Sequence, residues 1–346
     1  MNREGDAMSQ HRIRVSAAVT ALVLTAGCSA GGESSDAGTT PNTDATTAEA
    51  GTDTGAAANA PCEPLPDLPR RRIAYTQTRD DGSTALYLMK PDGTDRRCLV
   101  DTDGPDNWPD WSPDGRWLAF VGGVAGVDQV FVVRADGTEL RQVTDSPAIK
   151  EALAWSPDGL RIGYTASGSA DAGPFSIHLV DLDGSNDTTI ARSRPPEVEF
   201  VQLEDWSPDS KTLLYVADAG AGVKLWTMTP AGRDKALLRD EPGDFGGGAV
   251  YSPDGTSLVF SADLDGGCIY RTDARARHLV RLTRGCSAGS ELSWSPDGRW
   301  IVWAGGPHGP ADAEVMAADG TQRHTIVGDS SVAYPAWQPR LHSNPS

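Results

Sequence analysis

Positive charge is scarce in this chain. Its 346 residues include 48 Asp and Glu but only 30 Lys and Arg, a formal net charge of −18. Such a balance excludes a nucleic-acid binder, whose affinity rests on clustered cations that neutralise phosphate. Histidine is rare as well. The six present are scattered, with no H-E-x-x-H and no regular spacing, so the common zinc-hydrolase pattern is missing. Five cysteines occur without a single C-x-x-C, which removes the usual structural zinc site. No apolar run approaches the ~20 residues that a bilayer-spanning helix needs. What is plentiful is glycine (38) and proline (24), spread along the whole chain. Many tight turns follow, and a helical bundle is excluded. The length allows two domains or one large all-β domain.

The N-terminus places Arg12 and Arg14 ahead of a short apolar run, Val15–Ala26. This is the layout of a signal peptide. Its end, Leu24-Thr-Ala-Gly-Cys28, resembles the lipobox of bacterial lipoproteins. The resemblance implies cleavage before Cys28, lipidation of that cysteine, and attachment to the outer side of a bacterial membrane. Residues 1–27 are therefore expected to be the leader, with Met1 or Met8 as the start. Residues 28–61 carry no aromatic or large aliphatic side chain before Pro61. They cannot build a core and are expected to form a tether spanning on the order of 30 Å.

From residue 62 to residue 340 the chain repeats itself. DWSPDGRWLAF begins at Asp110, AWSPDGLRIGY at Ala154, DWSPDSKTLLY at Asp205, VYSPDGTSLVF at Val250 and SWSPDGRWIVW at Ser293; AWQPR follows at Ala336. The anchors Trp111, Trp155, Trp206, Tyr251, Trp294 and Trp337 are 44, 51, 45, 43 and 43 residues apart. Such a period marks a solenoid or a propeller. Ser-Pro-Asp-Gly suits a type I turn. A strand follows it, as at Trp117–Val121. A second hairpin is marked by a two-residue Asp-Gly turn, as at Asp92-Gly93 or Asp319-Gly320. Ala231-Gly232 and Ala274-Arg275 break that pattern and are expected to be looser turns. Each unit reads as four antiparallel strands, a propeller blade. The first unit lacks its WSPDG strand, and the last such strand has no unit after it. The fold class expected is thus an all-β, six-bladed propeller of four-stranded blades, with the C-terminal strand closing the first blade and residues 341–346 as a tail.

These repeats resemble the TolB-type (WD-repeat-like) β-propeller family from Ile73 to Arg340. The resemblance implies a propeller that binds proteins or peptides in a central funnel, and it is specific for fold more than for function.

The pentapeptide GCSAG occurs at Gly27 and again at Gly285. Its second copy fits the nucleophile pattern G-x-S-x-G around Ser287, but no strand-turn-helix context surrounds it. No catalytic residue and no resident cofactor are expected. Besides Cys28 the cysteines are Cys62, Cys98, Cys268 and Cys286, with three connectivities open. The blade reading favours Cys62–Cys98 and Cys268–Cys286.

In an antiparallel meander the SPDG and DG turns share one face and the long connections share the other. The turn segments hold 15 acids and 15 bases; the long connections hold 21 acids and 4 bases. Asp110, Glu151, Glu204, Asp205, Asp244 and Glu291 lie on or just before the innermost strands. Two readings of them stay open. They line a mouth that binds a cationic segment of an envelope protein, or they are a solvated surface that keeps an exported protein soluble. An alternative function is a calcium-dependent propeller hydrolase of lactones or phosphoesters, with Glu204, Asp205 or Glu291 as ligands. Asp101-Thr-Asp-Gly-Pro-Asp106 also resembles the start of a calcium loop, without its closing glutamate. The propeller itself is expected to be monomeric.

The lipobox reading predicts that Cys28→Ser abolishes acylation and moves the protein from the membrane fraction to the soluble one. Membrane retention of that variant at wild-type level would contradict it.

Overall fold

The computed structural model describes residues 71–168, 174–220, 222–239, 245–262, 268–284, 291–305 and 311–339. The first strands are β1 (Ile73–Thr78), β2 (Thr84–Met89) and β3 (Arg97–Val100). Next come β4 (Asn107–Trp111), β5 (Trp117–Val124), β6 (Val127–Arg134) and β7 (Arg141–Gln142). They are followed by β8 (Ile149–Trp155), β9 (Arg161–Ser167), β10 (Ser176–Asp181) and β11 (Thr188–Arg192). The fourth group is β12 (Phe200–Trp206), β13 (Leu213–Asp218), β14 (Val223–Met228) and β15 (Ala236–Arg239). The fifth is β16 (Phe245–Tyr251), β17 (Ser257–Ala262), β18 (Cys268–Asp273) and β19 (Val280–Arg281). The chain then runs through β20 (Leu292–Trp294), β21 (Trp300–Gly305), β22 (Ala311–Ala317) and β23 (His324–Trp337). All ladders are antiparallel, as in β5–β6, where Trp117 faces Arg134 and Val124 faces Val127. The molecule is an all-β propeller.

Turn chemistry explains the repeat. In each SPDG turn the serine carbonyl accepts the N–H three residues on, as Gly115 donates to Ser112 at 2.8 Å. The side chains add to it. Ser112 Oγ donates to Asp114 Oδ1 at 2.6 Å and accepts from Trp117 N at 2.9 Å. Ser210 takes the glycine position in the third copy, with φ 59° and the same backbone bond.

The second hairpin differs from the two-residue turn read in the sequence. Gly93 N donates to Lys90 O, and Lys90 N donates to Thr94 O, both at 2.9 Å. That pair closes a three-residue loop ending in a positive-φ glycine, a type I turn with a bulge. The Asp92 carboxylate accepts Thr94 N and Oγ1, so Asp-Gly-Thr or Asp-Gly-Ser is the working unit. Thr229–Arg233 and Asp273–Arg277 carry the same two backbone bonds. The turns expected to be looser therefore have the regular geometry. Ala276 simply accepts the left-handed conformation (φ 55°) that glycine takes elsewhere.

Sheet number also departs from expectation. There are four four-stranded sheets and one seven-stranded sheet, ordered β20-β21-β22-β23-β1-β2-β3. The cause is β23, one continuous strand of 14 residues. Its early part pairs with β22, Val327 facing Ala313. Its late part pairs with β1, Trp337 facing Ile73. The carboxyl-terminal strand thus joins the first unit to the last.

Between neighbouring sheets lie the hydrophobic clusters. Trp155 packs with Val121, Val130 and Tyr164, and Trp206 with Ile177, Leu179 and Tyr215. Trp206 is 2% exposed; burying so large a ring contributes roughly 3 kcal/mol. On the inside, β4 packs on β8, β8 on β12, β12 on β16, β16 on β20, β20 on β23, and β23 on β4. The innermost strands therefore close a ring.

Adding a methyl to the turn glycines distinguishes their roles. At Gly93 and Gly232 a Cβ would strike the backbone carbonyls of Ile326 on β23 and Ile190 on β11. At Gly82 it would meet nothing within 4 Å. Denaturant titration is expected to show Gly82→Ala costing about 1 kcal/mol, the strain of a positive φ alone. Gly93→Ala and Gly232→Ala should each cost at least about twice as much. Equal losses at all three would contradict this close approach of the turns to Ile326 and Ile190.

Candidate functional site

An inner strand that carries acids must satisfy them. Asp110 and Asp205 each stand one residue before a Trp anchor, and both reach to the next sheet. Asp110 Oδ2 accepts Trp155 N at 2.6 Å, while its Oδ1 accepts Trp111 N at 2.9 Å. Asp205 Oδ2 accepts Tyr251 N at 2.8 Å. At the equivalent point of β20, Ser293 Oγ accepts Trp337 N at 2.9 Å. The intervening strands use the reverse device, with the anchor indole as donor. Trp111 Nε1 donates to Ala336 O at 3.1 Å and Trp206 Nε1 to Ala154 O at 3.2 Å. These two aspartates have a structural task that their sequence position did not disclose.

The remaining acids sit nearer the end of the ring that carries the long connections. Glu204 Oε2 accepts Ala249 N at 2.8 Å, and Gln202 approaches its Oε1 at 3.4 Å. Glu151 lies on β8, with Oε2 buried and lacking a hydrogen-bond partner among the described residues. Glu291 precedes β20 and is partly buried. Tyr334, on β23, joins them: burial pushes its phenol up, and the charges of Glu291 and Glu151 push it further. Its ring contacts Trp108 of β4 at 4.9 Å between centroids. Trp108 and Tyr334 each stand three residues before an anchor. Each adopts a positive φ, 51° and 52°. The ladder of β4 shifts register beside Trp108, and that of β8 does so after Glu151. Such bulges re-aim side chains at strand ends. Neither aromatic was singled out from the sequence. The signal was there in the fixed offset from the anchor, but the bulge that gives it meaning is not written in any motif.

Burial governs the protonation of this group. It raises Asp110 to about 6 against the Trp155 and Trp111 amides, which favour the charged form. Asp205 rises to about 7, opposed by the Tyr251 and Trp206 amides. Glu204 reaches about 8, with the charge of Glu291 adding to desolvation. Glu151 reaches about 7, with Asp128 adding to it. Low local dielectric disfavours an unpaired charge.

Cys28, Cys62, Asp244, Cys286 and Ser287 lie outside the described residues. Cys98 is on β3 and Cys268 opens β18. Two acids of the Asp101–Asp106 stretch are engaged internally: Asp101 pairs with Arg79 at 2.8 Å, and Asp106 accepts Thr102 N at 2.9 Å and Thr102 Oγ1 at 2.7 Å. Among the described residues no group of three or more His, Cys, Asp or Glu is placed to hold a metal ion.

With this geometry in hand, comparison with known proteins is informative. Residues 161–343 match the model of the TolB beta propeller domain. A Tol-Pal system protein TolB of Alcanivorax borkumensis is 31% identical over 109 residues, 31% of this chain and 24% of that protein. One from Xylella fastidiosa (strain M12) is 38% identical over 79 residues, 22% of this chain and 17% of that protein. The matched stretch thus spans about a quarter or less of these relatives. The crystal structure of TolB from Acinetobacter baumannii superposes with a TM-score of 0.67 at 20% identity. It covers 78% of this chain and 67% of that one, a likeness of fold.

The buried carboxyls ionise less readily in the folded chain than in the unfolded one, where they titrate near 4. Their ionisation therefore favours unfolding. Their contribution to stability is full below about pH 4 and is lost as pH rises through their folded values. The urea midpoint is expected to fall between about pH 5 and pH 8.5, and to fall less in an Asp110→Asn/Asp205→Asn double variant. A midpoint that rises over that range would contradict the assignment.

Proposed function

The chain belongs to the TolB β-propeller family, and from that premise we propose that it is a lipid-anchored, extracytoplasmic binding module that captures a basic segment of an envelope protein. Cys28 carries the lipid in this reading, and residues 28–61 form the tether to a propeller of residues 62–340. We count six blades, taking the seven-stranded sheet as two blades that share β23. Each blade then has four strands, with the carboxyl-terminal half of β23 supplying the innermost strand of the first. Cys62–Cys98 and Cys268–Cys286 are the disulfides of this reading, suited to an oxidising compartment.

One observation carries the functional part. Glu151, Glu204 and Glu291 come from three different places on the inner ring and act electrostatically on one another or on the shared Tyr334. Burial and the charge of Glu291 outweigh the Ala249 and Gly248 amides and Gln202, which favour the charged form of Glu204. A lysine or arginine entering there would restore the charged carboxylates and be held by them. Low-dielectric walls strengthen such pairing. Asp110 and Asp205, like Glu204 through Ala249 N, already accept a backbone amide; Asp244 belongs to the same face by sequence. No catalytic step is assigned to this mouth. The Tol-Pal system named for the relatives supports an envelope setting for this chain.

Fluorescence anisotropy with a labelled oligolysine peptide tests the reading. Binding is expected to weaken at least tenfold in Glu151→Gln/Glu291→Gln and to weaken steeply with salt. Affinity for the basic peptide that is unchanged in this variant, or no stronger than for an oligoglutamate control, would overturn it.

A further inference from the structure

Away from the ring mouth, β10 and the connection that leads from it to β11 bring together a serine, a histidine and an aspartate. Ser176 and His178 alternate on β10, so both project from the same sheet face. Ser176 Oγ lies 3.0 Å from His178 Nε2. His178 Nδ1 lies 2.9 Å from Asp187 Oδ1. The second carboxylate oxygen, Oδ2, accepts the Tyr164 hydroxyl at 2.6 Å. Tyr164 also stacks on the imidazole, with ring centroids 5.1 Å apart and planes inclined by 21°. Asp187 is thereby held ionised: burial works against it, but the bonds from His178 and Tyr164 keep it below the usual carboxylate range. An ionised carboxylate on Nδ1 places the imidazole proton there and leaves Nε2 as an acceptor facing the serine O–H.

We propose that Ser176, His178 and Asp187 form an acyl-transfer relay, with Ser176 as a nucleophile toward short acyl esters. The serine oxygen attacks the ester carbonyl while His178 Nε2 takes its proton. The carbon–oxygen bond to the leaving group then breaks, and the departing alkoxide takes that proton. An acyl-serine results. Water hydrolyses it by the same route, giving the carboxylic acid and the free serine. The surroundings fit the charge that develops. Lys150, Ala166, Ser176 and Arg192 stand opposite one another across the four strands, so they share a face. Arg192 faces Ser176 directly across the ladder and brings positive charge beside the position where an oxyanion forms, while the Lys150 ammonium donates to the Ser146 and Ala148 carbonyls. Ser176 is 7% exposed, while the side chains of His178 and Asp187 are 19% and 31% exposed. This narrow access selects short acyl groups. Thr189 Oγ1, at 3.3 Å from Nε2, is the weaker competitor for the base.

The test is a fluorophosphonate probe applied to the full chain, read by peptide mass mapping, with p-nitrophenyl acetate turnover alongside. One adduct per chain at Ser176 is expected, absent in Ser176→Ala, formed at least ~100-fold more slowly in His178→Gln, and retained in Thr189→Val. An unmodified Ser176 in the wild-type chain after exhaustive exposure would overturn the relay. So would labelling of His178→Gln at the wild-type rate. The wild-type measurement depends on no variant, and it is independent of peptide capture at the ring mouth.

Discussion

A carboxylate that holds the backbone amide of the next sheet is the contact on which the rest depends. Sheets in a propeller touch mainly through side chains, which pack but do not set register. Asp110 on Trp155, Asp205 on Tyr251 and Ser293 on Trp337 supply directional bonds at the inner rim. Between them, the indoles of Trp111 and Trp206 reach back to a carbonyl of the preceding sheet. Trp155, Tyr251 and Trp337 thus offer an amide, and Trp111 and Trp206 an indole, to the preceding inner strand. Together with β23, which pairs with both β22 and β1, these bonds fix the inner strands as a ring and so fix the spacing of everything displayed at its mouth.

That arrangement separates two kinds of acid that look alike in sequence. Asp205 and Glu204 are neighbours and both reach β16, Asp205 accepting Tyr251 N and Glu204 accepting Ala249 N, but of the two it is Glu204 that feels the charge of Glu291. The bulge between Leu203 and Asp205 breaks the alternation that would otherwise send adjacent side chains to opposite sides. The electrostatic character of the mouth rests on glutamates more than on aspartates. The turn face is different again. Asp92, Asp183 and Asp319 are held below the usual range by bonds from the following Thr or Ser. They are consumed by turn geometry.

Much of the fold was legible because the repeat states its own period. The anchor tryptophans, the SPDG turns and the closing role of the last strand all follow from local rules written in several copies. Sheet number was less legible, because nothing in His324–Trp337 announces that two strands will run on as one. Hairpin type was misread at Asp-Gly because the serine or threonine after it, which completes the hydrogen-bonding unit, lies outside the two-residue motif. Of the site, the acidic positions were visible as a charge asymmetry, but Trp108 and Tyr334 were not, since a positive φ at an aromatic residue has no sequence signature. The grouping of Ser176, His178 and Asp187 arises from a hairpin bringing residue 187 back beside residue 178, a contact that spacing alone does not reveal.

Amide hydrogen exchange at Trp155, Tyr251 and Trp337 tests the account of the ring most directly. Each of these N–H groups donates to the preceding inner strand, so a ring closed by such bonds opens only as a whole. The account predicts that all three amides exchange at the rate of global unfolding, with one common free energy of opening. Exchange of any one of them through a separate, lower-energy opening of its own sheet would contradict it.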